Sequence, residues 1–179
     1  MKIKTKELIF ISLFTSLVVV FSYIKIPLPF SPVPITLQTF AVMLAGLLLP
    51  PYSAFLSMVI YLLLGAAGIP VFAGGKAGIG VIFGPSGGYL LSWPFAAFLI
   101  SHFIKNIRNP ISVFILNLIF GVFFIYLIGV PYLSFVTKMT IDKAIAVGLI
   151  PFIPSDIFKA LFATYLYFQL KKPLEKIML

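Results

Sequence analysis

Six apolar runs, separated by short clusters of lysine, proline and glycine, set the pattern of the chain. They cover about residues 8–24, 37–49, 52–67, 89–104, 111–130 and 155–170. A bilayer core is crossed by about 20 apolar helical residues, so the runs predict an all-α membrane protein with six transmembrane helices. The first run follows Lys2, Lys4 and Lys6. It is long for a secretory h-region, and Ile24-Lys25-Ile26-Pro27 offers no small-residue cleavage site, so it reads as a retained helix. The second run stops at Pro50-Pro51 after about 13 residues, too few to cross unaided. The fifth is expected to end at Pro131, and a short helical piece over about 141–149 leads to the sixth.

Two connecting segments depart from this pattern. Residues 25–36 contain Pro27, Pro29, Pro32 and Pro34, which deny the stretch a continuous helix and predict an ordered cap outside the membrane. Residues 71–88 contain seven glycines, at positions 74, 75, 78, 80, 84, 87 and 88. A stable helix is not expected there, yet Phe72, Val81, Ile82 and Phe83 are not the residues of a solvated loop. The segment is expected to fold back as a lid whose glycines let backbone amides approach a small ligand. It is no nucleotide loop, because it lacks the G-x-x-x-x-G-K-[ST] pattern and no strand precedes it.

Composition agrees with a membrane protein of a single domain over residues 1–179: 61% hydrophobic and 9% charged residues, with a mean hydropathy of +1.18. There are no cysteines, which excludes disulfides and thiolate metal sites. The net charge of +9 is gathered at the ends of apolar runs, a pattern of membrane topology and lipid contact and not of nucleic-acid binding. Lys2, Lys4, Lys6, Lys105, Arg108, Lys171, Lys172 and Lys176 fall on one side of the membrane. Lys25, Lys76, Lys138 and Lys143 fall on the other. The richer side is cytoplasmic, so both termini are expected there, with the proline- and glycine-rich segments outside.

Against this apolar background, Asp156 and Lys159 stand one helical turn apart on one face of the sixth run. Each ionised side chain costs about 2.5–3.5 kcal/mol to insert, which marks it as a functional-site candidate. The pair is either a structural ion pair pinning the helix or a ligand site offering a carboxylate and an ammonium together. Gln38, near the outer end of the second run, packs against another helix or contacts ligand. Tyr89 and Trp93 are interfacial anchors or the aromatic walls of a pocket, and Phe83 of the lid joins them as a candidate contact. Ser12 and Ser16 form a small-xxx-small pattern, for packing within the bundle or for docking a partner helix. His102 reads as interfacial. An intramembrane enzyme would need a nucleophile with its base, or a metal cluster, and the chain has little material for either.

Four separated segments together resemble the BioY family, the biotin-binding S components of energy-coupling-factor (ECF) transporters. They are Pro32-Val33-Pro34-Ile35-Thr36-Leu37-Gln38-Thr39, Leu64-Gly65-Ala66-Ala67-Gly68-Ile69-Pro70-Val71-Phe72, Phe83-Gly84-Pro85-Ser86-Gly87-Gly88-Tyr89 and Asp156-x-x-Lys159. The resemblance implies a six-helix S-component fold in the cell membrane. It also implies biotin capture from outside, without a cofactor, and uptake driven by two ATP-binding-cassette ATPases through a transmembrane coupling subunit. It assigns Asp156 and Lys159 to biotin, and leaves Lys76 and loop amides for the valerate carboxylate. In the family, small residues four apart on the first helix dock on the coupling subunit; where that pattern usually reads Ala-x-x-x-Ala, this chain has Ser12 and Ser16. The alternative is a stand-alone secondary transporter for a small polar solute, which would require a coupling-ion site.

Overall fold

Residue 38 to residue 48 form a helix with almost no surface of its own, and the other helices are arranged around it. The computed structural model describes residues 4–105 and 107–178. Lys2, Asn106 and the side chain of Lys176 lie outside the described residues. The helices are α1 (Thr5–Ser22), α2 (Gln38–Leu48), α3 (Pro51–Ala66), α4 (Ile79–Ile82), α5 (Gly87–Ile104), α6 (Pro110–Leu118), α7 (Phe124–Thr137), α8 (Ile141–Gly148) and α9 (Ile153–Met178). Every residue of α2 except Thr39 is buried, because α1, α3, α5 and α9 all pack on it. A helix apolar all round is stable in such a setting. This is how an 11-residue helix belongs to a membrane bundle although it is too short to span alone.

By length and composition, α1, α5 and the joined α6–α7 are able to cross a membrane. The α8–α9 pair, bent by 52°, qualifies as a fourth span, and α2 and α3 are shorter apolar helices. Prolines set two of the starts: Pro51 and Pro110 occupy first-turn positions, where a missing N–H costs nothing.

The fifth run does not end at Pro131, as its sequence predicts. It continues as helix to Thr137 and closes at Lys138 in a left-handed conformation (φ 54°). The proline removes one backbone hydrogen bond, but α5 and α8 pack along this helix and hold it on either side of the gap. Its middle, Ile119–Phe123, widens into a π turn between α6 and α7. The sixth run is also longer than expected, reaching Met178 through Pro173.

The proline-rich cap contains an antiparallel pair of short strands, β1 (Lys25–Ile26) and β2 (Ile35–Thr36), in the register Lys25 to Thr36 and Ile26 to Ile35. The glycine-rich segment folds back over the same end of the bundle. Its anchor is Phe72, whose ring occupies the space that a Cβ on Gly65 would need. That ring meets Tyr61 edge-on at 5.6 Å between centroids. Gly74 adopts φ +73°, a conformation that favours glycine, and its N–H donates to the carbonyl of Ser22 at 2.8 Å, tying the segment to the end of α1.

Candidate functional site

The buried face of α9 runs through Asp156, Lys159, Ala160, Ala163, Thr164 and Tyr167 at helical spacing, so the two ionisable residues point into the bundle. They are 5% and 8% exposed. Lys159 Nζ lies 2.8 Å from Asp156 Oδ1. From α2, Thr39 stands between them: its hydroxyl donates to Asp156 Oδ1 (3.2 Å) and accepts from Lys159 Nζ (3.1 Å). From α7, the hydroxyl of Tyr126 donates to Asp156 Oδ2 in a short hydrogen bond. Three helices thus converge on one carboxylate. A buried ion pair is tolerable where its remaining hydrogen-bonding positions are met, and here most of them are.

The pair also lines a cavity of about 320 Å³, within the size range of small-molecule sites. Six of the seven sequence-predicted contacts line it: Asp156, Lys159, Lys76, Gln38, Tyr89 and Trp93. Phe72, Val81 and the Gly80 and Gly84 backbone of the folded-back segment form one wall, with the prolines of the cap beside them. Gly121 and Val122 of the π turn, with Ile125 and Tyr126 of α7, form another. Lys76 is exposed, at the rim.

Phe83, the seventh, does not join them. It is 66% exposed and does not line the cavity. The single turn of α4 places Val81 inward, and Phe83, which closes that turn through its N–H to Ile79, projects outward.

Tyr89 is a wall and not an interfacial anchor. Its hydroxyl donates to the carbonyl of Gly148 (2.8 Å), tying α5 to the end of α8. Trp93 is 4% exposed and stacks on Tyr61 at 5.7 Å. Its indole N–H is buried without an acceptor among the described residues. Gln38 donates from Nε2 to the Tyr61 hydroxyl at 2.6 Å. His102 is exposed, stacks on Phe98 and meets Phe103 edge-on, with no part in the cavity. Ser12 and Ser16 are both exposed on α1, as are Ile9, Leu13 and Val20, so neither serine packs inside the bundle. No group of three or more potential metal ligands occurs among the described residues.

Three polar residues of this region lie outside the sequence motifs, Tyr61, Asn117 and Tyr126, and Thr39 ends one motif without any role being read from it. Asn117 is fully buried and donates to the carbonyl of Ala160 at 3.3 Å, linking α6 to α9. Its position inside an apolar run was a usable signal, because polar residues at membrane depth are kept for packing or function.

Comparison with known proteins agrees with this fold. The chain is 39% identical over 175 residues to the probable biotin transporter BioY of Bacillus subtilis, covering 96% of this chain and 94% of the relative. It is 39% identical over 167 residues to the biotin transporter BioY of Thermotoga maritima, covering 93% and 96%. A crystal structure of the S-component for biotin from an ECF-type ABC transporter superposes with a TM-score of 0.89 at 33% identity, covering 96% of this chain and 95% of that one. The BioY family model matches residues 1–176, so the chain belongs to the BioY family.

Proposed function

We propose that this protein captures biotin as the substrate-binding S component of an ECF transporter. The observation that carries the reading is the Asp156–Lys159–Thr39–Tyr126 network, which opens onto a cavity roofed by the glycine-rich segment. Biotin's ureido ring offers N–H donors and a carbonyl acceptor. Asp156 accepts an N–H and Lys159 donates to the carbonyl, each a charge-assisted bond in a largely desolvated place. Trp93, Tyr89 and Phe72 supply apolar walls for the fused sulfur ring. Lys76 at the rim takes the valerate carboxylate, which leaves the ligand's charged end closest to water.

On the same reading the chain is one integral domain of the cell membrane, with both termini cytoplasmic and the cavity opening outward. The exposed face of α1 carrying Ser12 and Ser16 docks on the coupling subunit, small side chains allowing close approach. That subunit and two ATP-binding-cassette ATPases energise uptake.

A two-part experiment tests this. Purified protein titrated with biotin should show saturable one-to-one binding. Cells expressing the complete transporter should take up biotin rapidly when proton and sodium gradients are abolished and stop when ATP is depleted. Uptake that follows an ion gradient would point to a secondary transporter instead.

A further inference from the structure

Helices α2, α5 and α9 all begin beside the cavity of Asp156 and end at the other end of the bundle. There the corner between α2 and α3 runs short of backbone donors. Pro50 and Pro51 stand four residues after Gly46 and Leu47, and a proline has no N–H to give their carbonyls. The carbonyl of Leu49 accepts from the hydroxyl of Ser101 at 2.5 Å. Those of Leu47 and Leu48 accept from no donor among the described residues.

Leu47, Leu48 and the two prolines line a second cavity of about 320 Å³, large enough for a small ligand. The ends of α5 and α9 flank it, and each brings one lysine, Lys105 and Lys171. Lys171 Nζ lies 5.1 Å from the centroid of the buried Tyr167 ring, a contact that holds the ammonium at the cavity. Neither lysine is in an ion pair and no acidic residue lines the cavity, among the described residues. A lysine that merely extends toward water needs no cavity. The remaining walls, Ile104, Tyr167 and Leu174, are largely apolar. A free anion gains nothing from such walls, whereas a lipid brings carbon together with its charge.

We propose that this second cavity binds the headgroup of phosphatidylglycerol, its phosphate between Lys105 and Lys171 and its glycerol hydroxyls donating to the carbonyls of Leu47 and Leu48. The lysines offer only donors and the helix end only acceptors, so the ligand must carry an anion and a donor side by side. Phosphatidylcholine has no donor and no net charge. In phosphatidylethanolamine the donor is a third ammonium, which the two lysines repel; hydroxyls carry no such cost. The site is separate from the biotin cavity and does not depend on what that cavity holds.

The test places the full-length protein in nanodiscs of equal parts phosphatidylglycerol, phosphatidylethanolamine and phosphatidylcholine and identifies, by native mass spectrometry, the lipid that stays bound. Wild type should retain one phosphatidylglycerol in preference to the other two. Lys105→Met combined with Lys171→Met should lower that preference roughly thirtyfold, about fivefold for each lysine. Lys4→Met combined with Lys6→Met removes two exposed lysines of the same end that do not line the cavity, and should leave the preference unchanged. Melting temperatures show which variants are folded, and Lys171→Gln alone, with its fivefold loss, serves if the double variant is not. Three results would each overturn the assignment: equal retention of phosphatidylethanolamine, unchanged retention in a folded Lys105 and Lys171 variant, or an equal loss in the Lys4 and Lys6 variant, which would mean general attraction to anionic lipid. Titration with glycerol 1-phosphate in neutral detergent supplies the last arm. Binding as tight as that of the lipid would make a soluble phosphate the ligand and overturn the lipid assignment.

Discussion

The ring of Phe72 occupies the volume that any side chain at Gly65 would fill. This fit fixes the glycine-rich segment on α3 and so fixes the roof of the cavity. Gly65→Ala should expel the ring. Burying a phenylalanine contributes roughly 1.5–3 kcal/mol, so the variant is expected to melt several degrees lower and to bind biotin more weakly. Thermal denaturation with and without biotin measures both effects, and an alanine variant with unchanged affinity would show that the roof does not depend on this contact.

Asp156→Ala or Lys159→Ala leaves one charge buried and unpaired and a polar group of the ligand unmatched. By analogy with other broken buried pairs the loss is about 2–5 kcal/mol of binding, at least about thirtyfold in affinity. A purely structural pair behaves differently: each single variant is unstable, and replacing both residues by apolar ones restores folding. Biotin affinity and melting temperature of the two single variants and the double variant separate the cases. Wild-type affinity in a well-folded double variant would remove both residues from the site.

Tyr126→Phe and Thr39→Val each delete one hydroxyl that donates to Asp156. Each is expected to weaken biotin by roughly tenfold to a hundredfold through one lost hydrogen bond to a charged group. Because both hydroxyls serve the same carboxylate, the two effects should not add. A double-mutant cycle on affinity measures the coupling.

Ser12→Leu combined with Ser16→Leu should abolish energised uptake and leave biotin binding by the isolated protein nearly intact. The exposure of both serines is the reason: bulk added there meets no neighbour in the bundle, only an incoming helix. Co-purification with the coupling subunit and biotin titration are the two readouts. Uptake at the wild-type rate would locate the docking face elsewhere.

Lys76 at the rim should matter for the ligand's carboxylate and little else. Lys76→Ala is expected to weaken biotin modestly, since an exposed charge is screened, and to leave the uncharged amide of biotin unaffected. A cysteine at this position should react with a membrane-impermeant label in intact cells if the cavity opens outward as proposed, and labelling only after lysis would overturn that orientation.

The apolar runs announced the helices because length and hydropathy leave few alternatives in a bilayer. Asp156 and Lys159 announced themselves by the cost of a charge there. What surrounds them was harder to see. Thr39 and Tyr126 are 117 and 30 residues away from Asp156 along the chain, and hydroxyl side chains are unremarkable in apolar helices. Two-residue strands have no periodicity to read, so the hairpin at Lys25–Thr36 appeared only as a proline-rich cap. The outward facing of Phe83 is not legible in the sequence, because the facing of a residue at the end of a one-turn helix depends on a single turn's phase. Pro131 predicts a helix end that packing by α5 and α8 overrules.

The 2.8 Å contact between Lys159 and Asp156 has an electrical consequence. Carrying one elementary charge across a membrane potential of 100 mV involves about 2.3 kcal/mol. With its two charges cancelled against each other, the buried pair has no net charge for that field to act on. Any displacement of this part of the protein along the membrane normal, between one trip with cargo and the next, does almost no work against the voltage. What the field can act on is the charge of Lys76 at the rim and the passenger's own carboxylate.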